Sequence, residues 1–428
     1  MNIELIKERK ESLDKLSHLN TLSDVRNQGL EIFEQKGIPT TRNEEWKYTR
    51  VGGLFQTPFA FADQTKDAPD FSSYYLPGHD AANVLVFVNG NFSAAQSRFI
   101  STDMEVLSLN DAAEKYPDLL KPNLGHSSVY LQDGINAMNT ALINAGVFIL
   151  AGKGKVVDAP LFVYHITDGT KNNMLSQPRS FVYLQQASQL QMIETYVSLG
   201  KMESLTNQVL EVVVEQDAVF DYLKLQNDAA HASQVNTTHI RQVGKSLVHT
   251  VTISLNGKIV RNNTNILMES PYCEAHLYGL YIQDGSCHVD NHTVVDNKQP
   301  NCYSNQLYKG VMKDEATGVF NGKIFVRPIA QKTNAFQSNK NILLSNKATI
   351  NTKPQLEIFA DDVKCSHGCT IGKIDEEGLF YLQSRGIPEE TAKSLVLHSF
   401  TMDVLNEIKS EEIRNYIDQV ISEKLNLI

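Results

Sequence analysis

Residues 361–370 (DDVKCSHGCT) bring several metal-binding side-chain types together in a short stretch of the sequence. Two thiols, one imidazole and two carboxylates fall within it, from Cys365, Cys369, His367, Asp361 and Asp362. Thiolate and imidazole are suitable ligands for iron, zinc and copper. In an extended strand, Cys365, His367 and Cys369 alternate by two and share one face. The spacing therefore predicts an edge that contacts a metal ion or a metal cluster.

A structural alternative exists for the same segment. Two small buried cysteines and a hydrogen-bonded histidine beside a turn give the same pattern. A zinc-finger site is not indicated, because no second ligand pair stands at a suitable spacing.

A second group of potential soft or borderline ligands lies upstream in the sequence. Strands alternate faces, so these residues need not converge, and buried cysteines with hydrogen-bonded histidines are the alternative to a site. The group consists of Cys273, His276, Cys287, His288, Asp290 and His292, with Cys302 a little beyond.

Several common catalytic motifs are missing from the sequence. It contains no GxxxxGK[ST] phosphate loop, no GxGxxG dinucleotide fingerprint and no HExxH helix. A GxSxG nucleophile elbow is missing too. We therefore expect a protein that is not an enzyme, and any ATP hydrolysis in its task should fall to another subunit.

The composition is that of an ordinary soluble globular protein. The 428 residues are 42% hydrophobic and 21% charged, with a net charge of −10, and no basic run offers a nucleic-acid or membrane surface. The N-terminus lacks the apolar core of a signal peptide, and no stretch approaches the roughly 18 apolar residues of a membrane helix. Five cysteines in such a chain suggest reduced thiols and a cytoplasmic location.

The chain divides into three predicted domains according to the secondary structure that its sequence pattern indicates. Residues 1–150 are helical and then mixed, residues 151–372 are rich in short strands, and residues 373–428 are helical again. Serial short strands fit a sandwich or barrel, or a β-helix in which each coil stacks on the last. The length of the strand-rich region favours the β-helix. Recurring asparagines that can bond along stacked turns favour it too: Asn334, Asn339, Asn341, Asn346 and Asn351.

Five strings in the sequence are long or unusual enough to be distinctive: EEWKYT at 44–49, AQKTNAFQSN at 330–339, NILLS at 341–345, PQLEIFADDVKCSHG at 354–368 and LFYLQSRGI at 379–387. They resemble the SufB/SufD family of iron–sulfur cluster assembly proteins, and the CSHG form resembles its SufD branch. The clear similarity runs from roughly residue 285 to 405, with the patch around Trp46 added.

The resemblance implies a right-handed parallel β-helix flanked by N-terminal and C-terminal α-helical regions. It also implies a non-catalytic scaffold subunit of a SufBCD complex, with a SufB-like subunit paired through the β-helices. A SufC-like ABC ATPase is expected on the C-terminal helices. A homodimer of the isolated chain is a further alternative.

The resemblance further implies a role for particular side chains at the SufB interface. His367 would face a partner cysteine and help hold iron or a transient iron–sulfur cluster, with Cys365 as a secondary candidate. Cys369 stands where many relatives have alanine, so it is either an added ligand or a small core residue. The alternatives are a SufB-type scaffold, a structural β-helix adaptor without metal contact, and a β-helical polysaccharide lyase or hydrolase.

Overall fold

The strand-rich region predicted from the sequence forms a solenoid of about eight turns. The computed structural model describes residues 3–16, 21–62, 69–144 and 146–427, and 41% of the protein is strand. The prediction of a mainly β protein, with a β-helix core and helices towards both termini, is confirmed. The sandwich and barrel alternatives are wrong, because successive coils stack with parallel pairing, and along most of the solenoid each strand lies beside the strands two positions before and after it in the chain.

The strands are short and follow one another closely. In chain order they are β1 (Ala60–Phe61), β2 (Asn83–Val88), β3 (Asn91–Phe92), β4 (Met104–Ser108), β5 (Val147–Ala151), β6 (Leu161–Gly169), β7 (Met174–Ser176), β8 (Arg179–Leu184), β9 (Gln189–Gly200), β10 (Ser204–Thr206), β11 (Val209–Val214), β12 (Val219–Asn227), β13 (Ala232–Gln242), β14 (Leu247–Asn256), β15 (Ile259–Met268), β16 (Glu274–Gln283), β17 (His288–Asn297), β18 (Tyr303–Met312), β19 (Thr317–Val326), β20 (Asn334–Leu343), β21 (Thr349–Ile358) and β22 (Lys364–Gly372).

These strands form two facing sheets. The first has the order β21-β19-β17-β15-β13-β11-β8-β5-β4, with β1, β7 and β10 at its side, and the second has the order β22-β20-β18-β16-β14-β12-β9-β6-β2-β3. Pairing along the solenoid is parallel, and the antiparallel pairs β2–β3 and β4–β5 lie near its start. Strands of the N-terminal region thus extend the two sheets, β2 by parallel pairing with β6 and β5 by parallel pairing with β8. The three-domain division of the chain stays a prediction.

Helices cover the outer faces of both sheets. They are α1 (Ile3–Asp14), α2 (Ser23–Lys36), α3 (Leu109–Lys115), α4 (Pro117–Leu120), α5 (His126–Leu131), α6 (Gly134–Ala141), α7 (Glu376–Ser384), α8 (Glu389–Leu405) and α9 (Glu411–Leu427). The N-terminal helices pack beside the first sheet, and α8 and α9 pack on the second. Among the helices described, none has the length and apolar character needed to cross a bilayer.

The space between the two sheets is apolar along its edges and polar along a central stripe. Ile240, Leu277 and Phe320 are among the buried apolar side chains of this interior. Asn262 bonds across coils to Asn291, with its Nδ2 3.1 Å from the Asn291 Oδ1. Thr293 donates to Gln306 at 2.9 Å. Hydrogen bonds of this kind let buried polar side chains stack from coil to coil at little cost.

Two of the asparagines singled out in the sequence belong to this interior stripe. Asn339 donates to the Tyr281 hydroxyl at 3.0 Å, and Asn341 donates to the Thr370 carbonyl of the next coil at 3.3 Å. Both are buried, whereas Asn346 is exposed and Asn351 is only partly buried. The prediction of asparagines bonding along stacked turns is therefore confirmed for Asn339 and Asn341.

One buried lysine fastens the C-terminal helices to the second sheet. The Lys309 Nζ donates to the Phe400 carbonyl at 2.7 Å and lies 2.5 Å from the Asp403 carboxylate. It also stands 4.5 Å from the centroid of the Phe400 ring. This group lies amid the apolar contact between α8 and the sheet, so it fixes where the helix sits.

Replacing Lys309 with methionine is expected to loosen α8 while keeping most of the packing. The variant loses a charged hydrogen bond and an ion pair, about 1–2 kcal/mol. Amide hydrogen exchange along α8 should therefore speed up roughly tenfold. Lys347→Met is the matched control, since that lysine pairs on the surface with Glu315, and it should leave α8 exchange unchanged. Equal exchange rates in both variants would contradict the anchoring role.

Candidate interface site at the end of the β-helix

Cys365, His367 and Cys369 lie on β22, the last strand of the solenoid. This strand pairs with β20, and among the described strands that is its one neighbour in the sheet. Cys365 stands in register with Ala335, His367 with Gln337 and Cys369 with Asn339. Those three partners are buried in the interior of the preceding coil. The candidate side chains therefore continue the inner face of the solenoid where it ends.

The three side chains differ in exposure. Cys365 is partly buried and packs against the interior apolar cluster, and burial raises the pKa of its thiol. Cys369 and His367 are exposed at the open end of the coil. The alternative of two buried cysteines beside a hydrogen-bonded histidine is therefore wrong for Cys369 and His367. The two carboxylates, Asp361 and Asp362, are exposed on the turn before the strand.

This edge is not a complete metal site by itself. Residues two apart on a strand are separated by roughly 6.6–6.8 Å, whereas ligand bonds to iron or zinc are about 2.0–2.3 Å long. Within the described ranges, no group of three or more His, Cys, Asp and Glu side chains could hold a metal ion. An ion or cluster bound at His367 would therefore need ligands beyond these side chains.

The end of the solenoid also exposes unpaired backbone groups and apolar side chains. The Lys364 N–H points towards β20, where it bonds to Thr333. In parallel pairing, the alternate residues Cys365, His367, Cys369 and Ile371 therefore direct their N–H and C=O groups to the free edge. Such an edge is a template for a strand from another chain.

Apolar side chains surround this edge, and the sequence pattern did not indicate them. Phe359, Ile371, Phe380 and Tyr381 are 57%, 47%, 72% and 57% exposed. Phe380 and Tyr381 belong to α7, which has no buried residue within the described part of the chain. A groove of about 970 Å³ between the last coil and the C-terminal helices is lined by Leu343, Ile371 and Leu395, among others. A patch of this kind marks an interaction surface.

The second ligand group from the sequence does not come together at one place. Cys273 and Cys302 stack at one corner of the solenoid, while Cys287 is half-buried in a different turn. His276 faces outward on the second sheet and pairs with Glu274 at 2.6 Å. The alternative of buried cysteines and hydrogen-bonded histidines holds for most of this group.

His288, Asp290 and His292 share the outer face of β17, where they bind the N-terminal segment. Thr49 bonds to His288 at 2.8 Å and also donates to Asp290. Arg261 pairs with Asp290 at 2.7 Å. Burial by itself raises the pKa of Asp290, but the charges of Arg261 and His292 lower it overall. This cluster stabilises an internal contact between two parts of the chain.

Trp46 completes the contact between the N-terminal segment and the first sheet. It is buried, its indole N–H donates to Asp133 at 2.8 Å, and the Arg261 guanidinium lies 3.8 Å from its ring centroid. Trp46 is therefore a packing anchor. Tyr48 in the same segment is not, because that ring is 40% exposed.

Acid should weaken the contacts that Glu45, in the same segment, makes with His292 and Lys323. The His292 hydrogen bond and, to a smaller degree, the Lys323 hydrogen bond lower the Glu45 pKa to about 2, against the opposing effect of burial. A depressed folded-state pKa gives stability that is present above the ordinary value of 4.5 and is lost as the pH falls towards about 2. Wild type should therefore unfold at higher urea than Glu45→Gln near neutral pH, with the gap closing through that window. A gap that stays constant with pH would contradict this.

Comparison with known proteins places the chain among β-helical assembly proteins. The family model described as the SufBD core domain of SUF system iron–sulfur cluster assembly matches residues 164–400. The model for the SufBD protein N-terminal region matches residues 2–163. The fold and the open, thiol- and imidazole-bearing edge define a β-helical protein with an exposed solenoid end. The chain belongs to the SufBD family.

Relatives of nearly full length agree with this assignment. The chain is 28% identical over 407 residues to the iron–sulfur cluster assembly protein SufD of Escherichia coli, covering 93% of this chain and 92% of that protein. It is 28% identical over 415 residues to a SufBD family protein of Synechocystis, with 94% and 90% covered. It is 26% identical over 424 residues to SufD of Bacillus subtilis, with 94% of each covered. The predicted similarity to the SufD branch is confirmed.

Proposed function

We propose that this chain is a SufD-type scaffold subunit that helps assemble iron–sulfur clusters in the SUF system. The full-length similarity to proteins named SufD carries the proposal. The cluster is the cargo of the assembly and not a resident cofactor of this chain. The subunit would act in the cytoplasm, without catalysis of its own, and a SufC-like ABC ATPase would hydrolyse the ATP.

The end of the solenoid is the proposed contact with a SufB-like subunit. A partner strand added at the free edge of β22 would satisfy its open N–H and C=O groups. It would also cover exposed apolar side chains such as Phe359 and Ile371. His367, as a neutral imidazole, would then lie beside a partner thiolate and complete a ligand set for iron or the growing cluster.

The C-terminal helices are the proposed contact with the ATPase. They pack on the outer face of the second sheet, whose inner face ends in His367. A movement of α8 and α9 would therefore act on the sheet that carries the interface residues. This arrangement supports a coupling of ATP hydrolysis to a shift at the interface.

Affinity purification of the full chain from its own cells under anaerobic, reducing conditions tests the assignment. We expect two co-purifying proteins, a homologous β-helical subunit and a small ABC ATPase. Ile371→Glu places a charge at the exposed end of the strand and should reduce recovery of the β-helical partner about tenfold or more. Val243→Glu, at an exposed apolar side chain that follows β13 in an earlier coil, is the matched surface control. Recovery of neither partner by abundant wild-type chain would overturn the scaffold role.

Two other functions give different results in the same preparation. A SufB-type scaffold would accept sulfur on its own cysteines, which mass spectrometry would detect as a persulfide. A structural adaptor without metal contact would recover both partners and support full cluster assembly without His367.

A further inference from the structure

Cys273 and Cys302 occupy the same position in two consecutive coils. Each directly precedes a strand, and Glu274 of β16 stands in register with Tyr303 of β18. The Tyr303 N–H donates to the Cys273 carbonyl at 2.9 Å. Neighbouring strands lie about 4.8 Å apart, within the roughly 4.4–6.8 Å between Cα atoms that a disulfide spans. The backbone therefore already holds these two residues at a distance that permits a covalent link.

The two sulfur atoms lie together at this corner. The Sγ atoms of Cys273 and Cys302 are 3.0 Å and 3.5 Å from the same acceptor, the Ser270 carbonyl oxygen. The two thiols are near enough for each to shift the pKa of the other. Both residues are 1% exposed. Large reagents are thereby excluded, whereas a molecule of the size of hydrogen peroxide needs only a small opening of the adjacent turn.

The two thiols are chemically unequal. The bond to Cys302 and burial both raise the pKa of Cys273. The Cys273 thiol lowers the pKa of Cys302, and so do the backbone N–H groups of Cys273 and Tyr272. Tyr272 has a φ of 62° and is 60% exposed, so the turn that supplies these donors lies at the surface. Cys302 is the thiol better suited to react, and Cys273 the one placed to resolve it.

We propose that Cys273 and Cys302 are a redox pair that closes to an intrachain disulfide in the presence of a hydroperoxide. The Cys302 thiolate attacks the peroxide oxygen, giving a sulfenic acid and releasing hydroxide, which is protonated to water. The Cys273 sulfur then attacks the sulfenic sulfur, forming the S–S bond and releasing a second water. Overall, two thiols and one hydrogen peroxide give one disulfide and two waters.

Peptide mapping of the oxidised full chain tests this directly. The purified, reduced protein is treated with equimolar hydrogen peroxide, denatured, alkylated and digested without reductant. We expect a peptide pair joined through Cys273 and Cys302, with both residues protected from alkylation. Reduction before alkylation should restore both labels. Wild type in which Cys273 and Cys302 stay fully alkylated, while exposed Cys369 is oxidised, would overturn the proposal without any variant.

Serine variants test the unequal roles, and the fold itself indicates that they are tolerated. The same corner position in the preceding coil is Ser246, and in the following coil it is Thr333; both are buried. After treatment with hydrogen peroxide and unfolding in the presence of dimedone, Cys273→Ser should show a sulfenic adduct at Cys302. Cys302→Ser should give at least about tenfold less adduct at Cys273. Equal labelling of the two variants would show that Cys302 is not the reacting thiol.

Discussion

Glu211→Leu is expected to lower the free energy of unfolding by about 3–5 kcal/mol. Glu211 and Arg179 form an ion pair at 2.5 Å whose side chains are 3% and 1% exposed. The Glu211 carboxylate also accepts the backbone N–H groups of Gly125 at 2.9 Å and Ser127 at 2.7 Å. Leucine would leave the Arg179 charge and two N–H groups buried without this acceptor, and urea unfolding monitored by circular dichroism measures the loss.

The pair lies between α5 and the first sheet, and the stability that it contributes should depend on pH. Burial by itself raises the Glu211 pKa, but Arg179 and the two N–H donors lower it overall. A depressed pKa means that the stability gained from this carboxylate is lost as the pH falls below its ordinary range. The difference between wild type and Glu211→Leu should therefore shrink in acid.

Glu315→Leu is the matched control for this prediction. Glu315 pairs with Lys347 at 2.6 Å, but the two side chains are 60% and 75% exposed. Exposed pairs contribute roughly 0–1 kcal/mol, so this variant should unfold almost as wild type does. A loss of less than about 1 kcal/mol in Glu211→Leu would mean that the corner relaxes and that water replaces the carboxylate.

His367→Ala is expected to reduce cluster assembly by the complete complex about tenfold or more, with little change in stability. The histidine is exposed on the last strand, and surface changes of this kind usually alter stability by less than about 0.5 kcal/mol. Under the proposed function its imidazole contributes to iron or cluster binding, where losing a contact typically costs about 10–100-fold. Iron- and sulfide-dependent absorbance of the reconstituted complex measures the yield.

Two neighbours on the same strand separate a ligand role from a packing role. Ser366→Ala changes the opposite face of the strand and should assemble clusters at the wild-type rate. Cys369→Ala should have a smaller effect than His367→Ala. Full assembly by His367→Ala, in a complex that still contains both partners, would remove the ligand role and favour the structural adaptor.

The alternation of strand side chains made the candidate edge predictable. Residues two apart on a strand face the same way in any sheet, so Cys365, His367 and Cys369 had to share a face once that segment was extended. The helical spacing after residue 375 likewise predicted the C-terminal helices. These are local consequences of backbone geometry, and they depend little on the rest of the chain.

The position of that edge within the molecule could not be predicted from short-range spacing. Only the stacking of coils shows that β22 ends its sheet, so that His367 is exposed while Gln337, in register beneath it, is buried. The exposure of Phe380 and Tyr381 was likewise decided by the tertiary structure. An apolar pattern on a helix does not show whether another element covers it.

The amino-acid sequence by itself determined the strand-rich middle, the helical end and the shared face of the CSHGC segment. Tertiary structure decided which distant residues meet: Arg261 with Trp46, Glu211 with Arg179, and Cys273 with Cys302. The physical reason is the solenoid itself, in which each strand pairs with strands one coil before and one coil after. Partners are then set by the register of successive coils and by the path of the N-terminal segment across them, and neither can be obtained from short-range spacing.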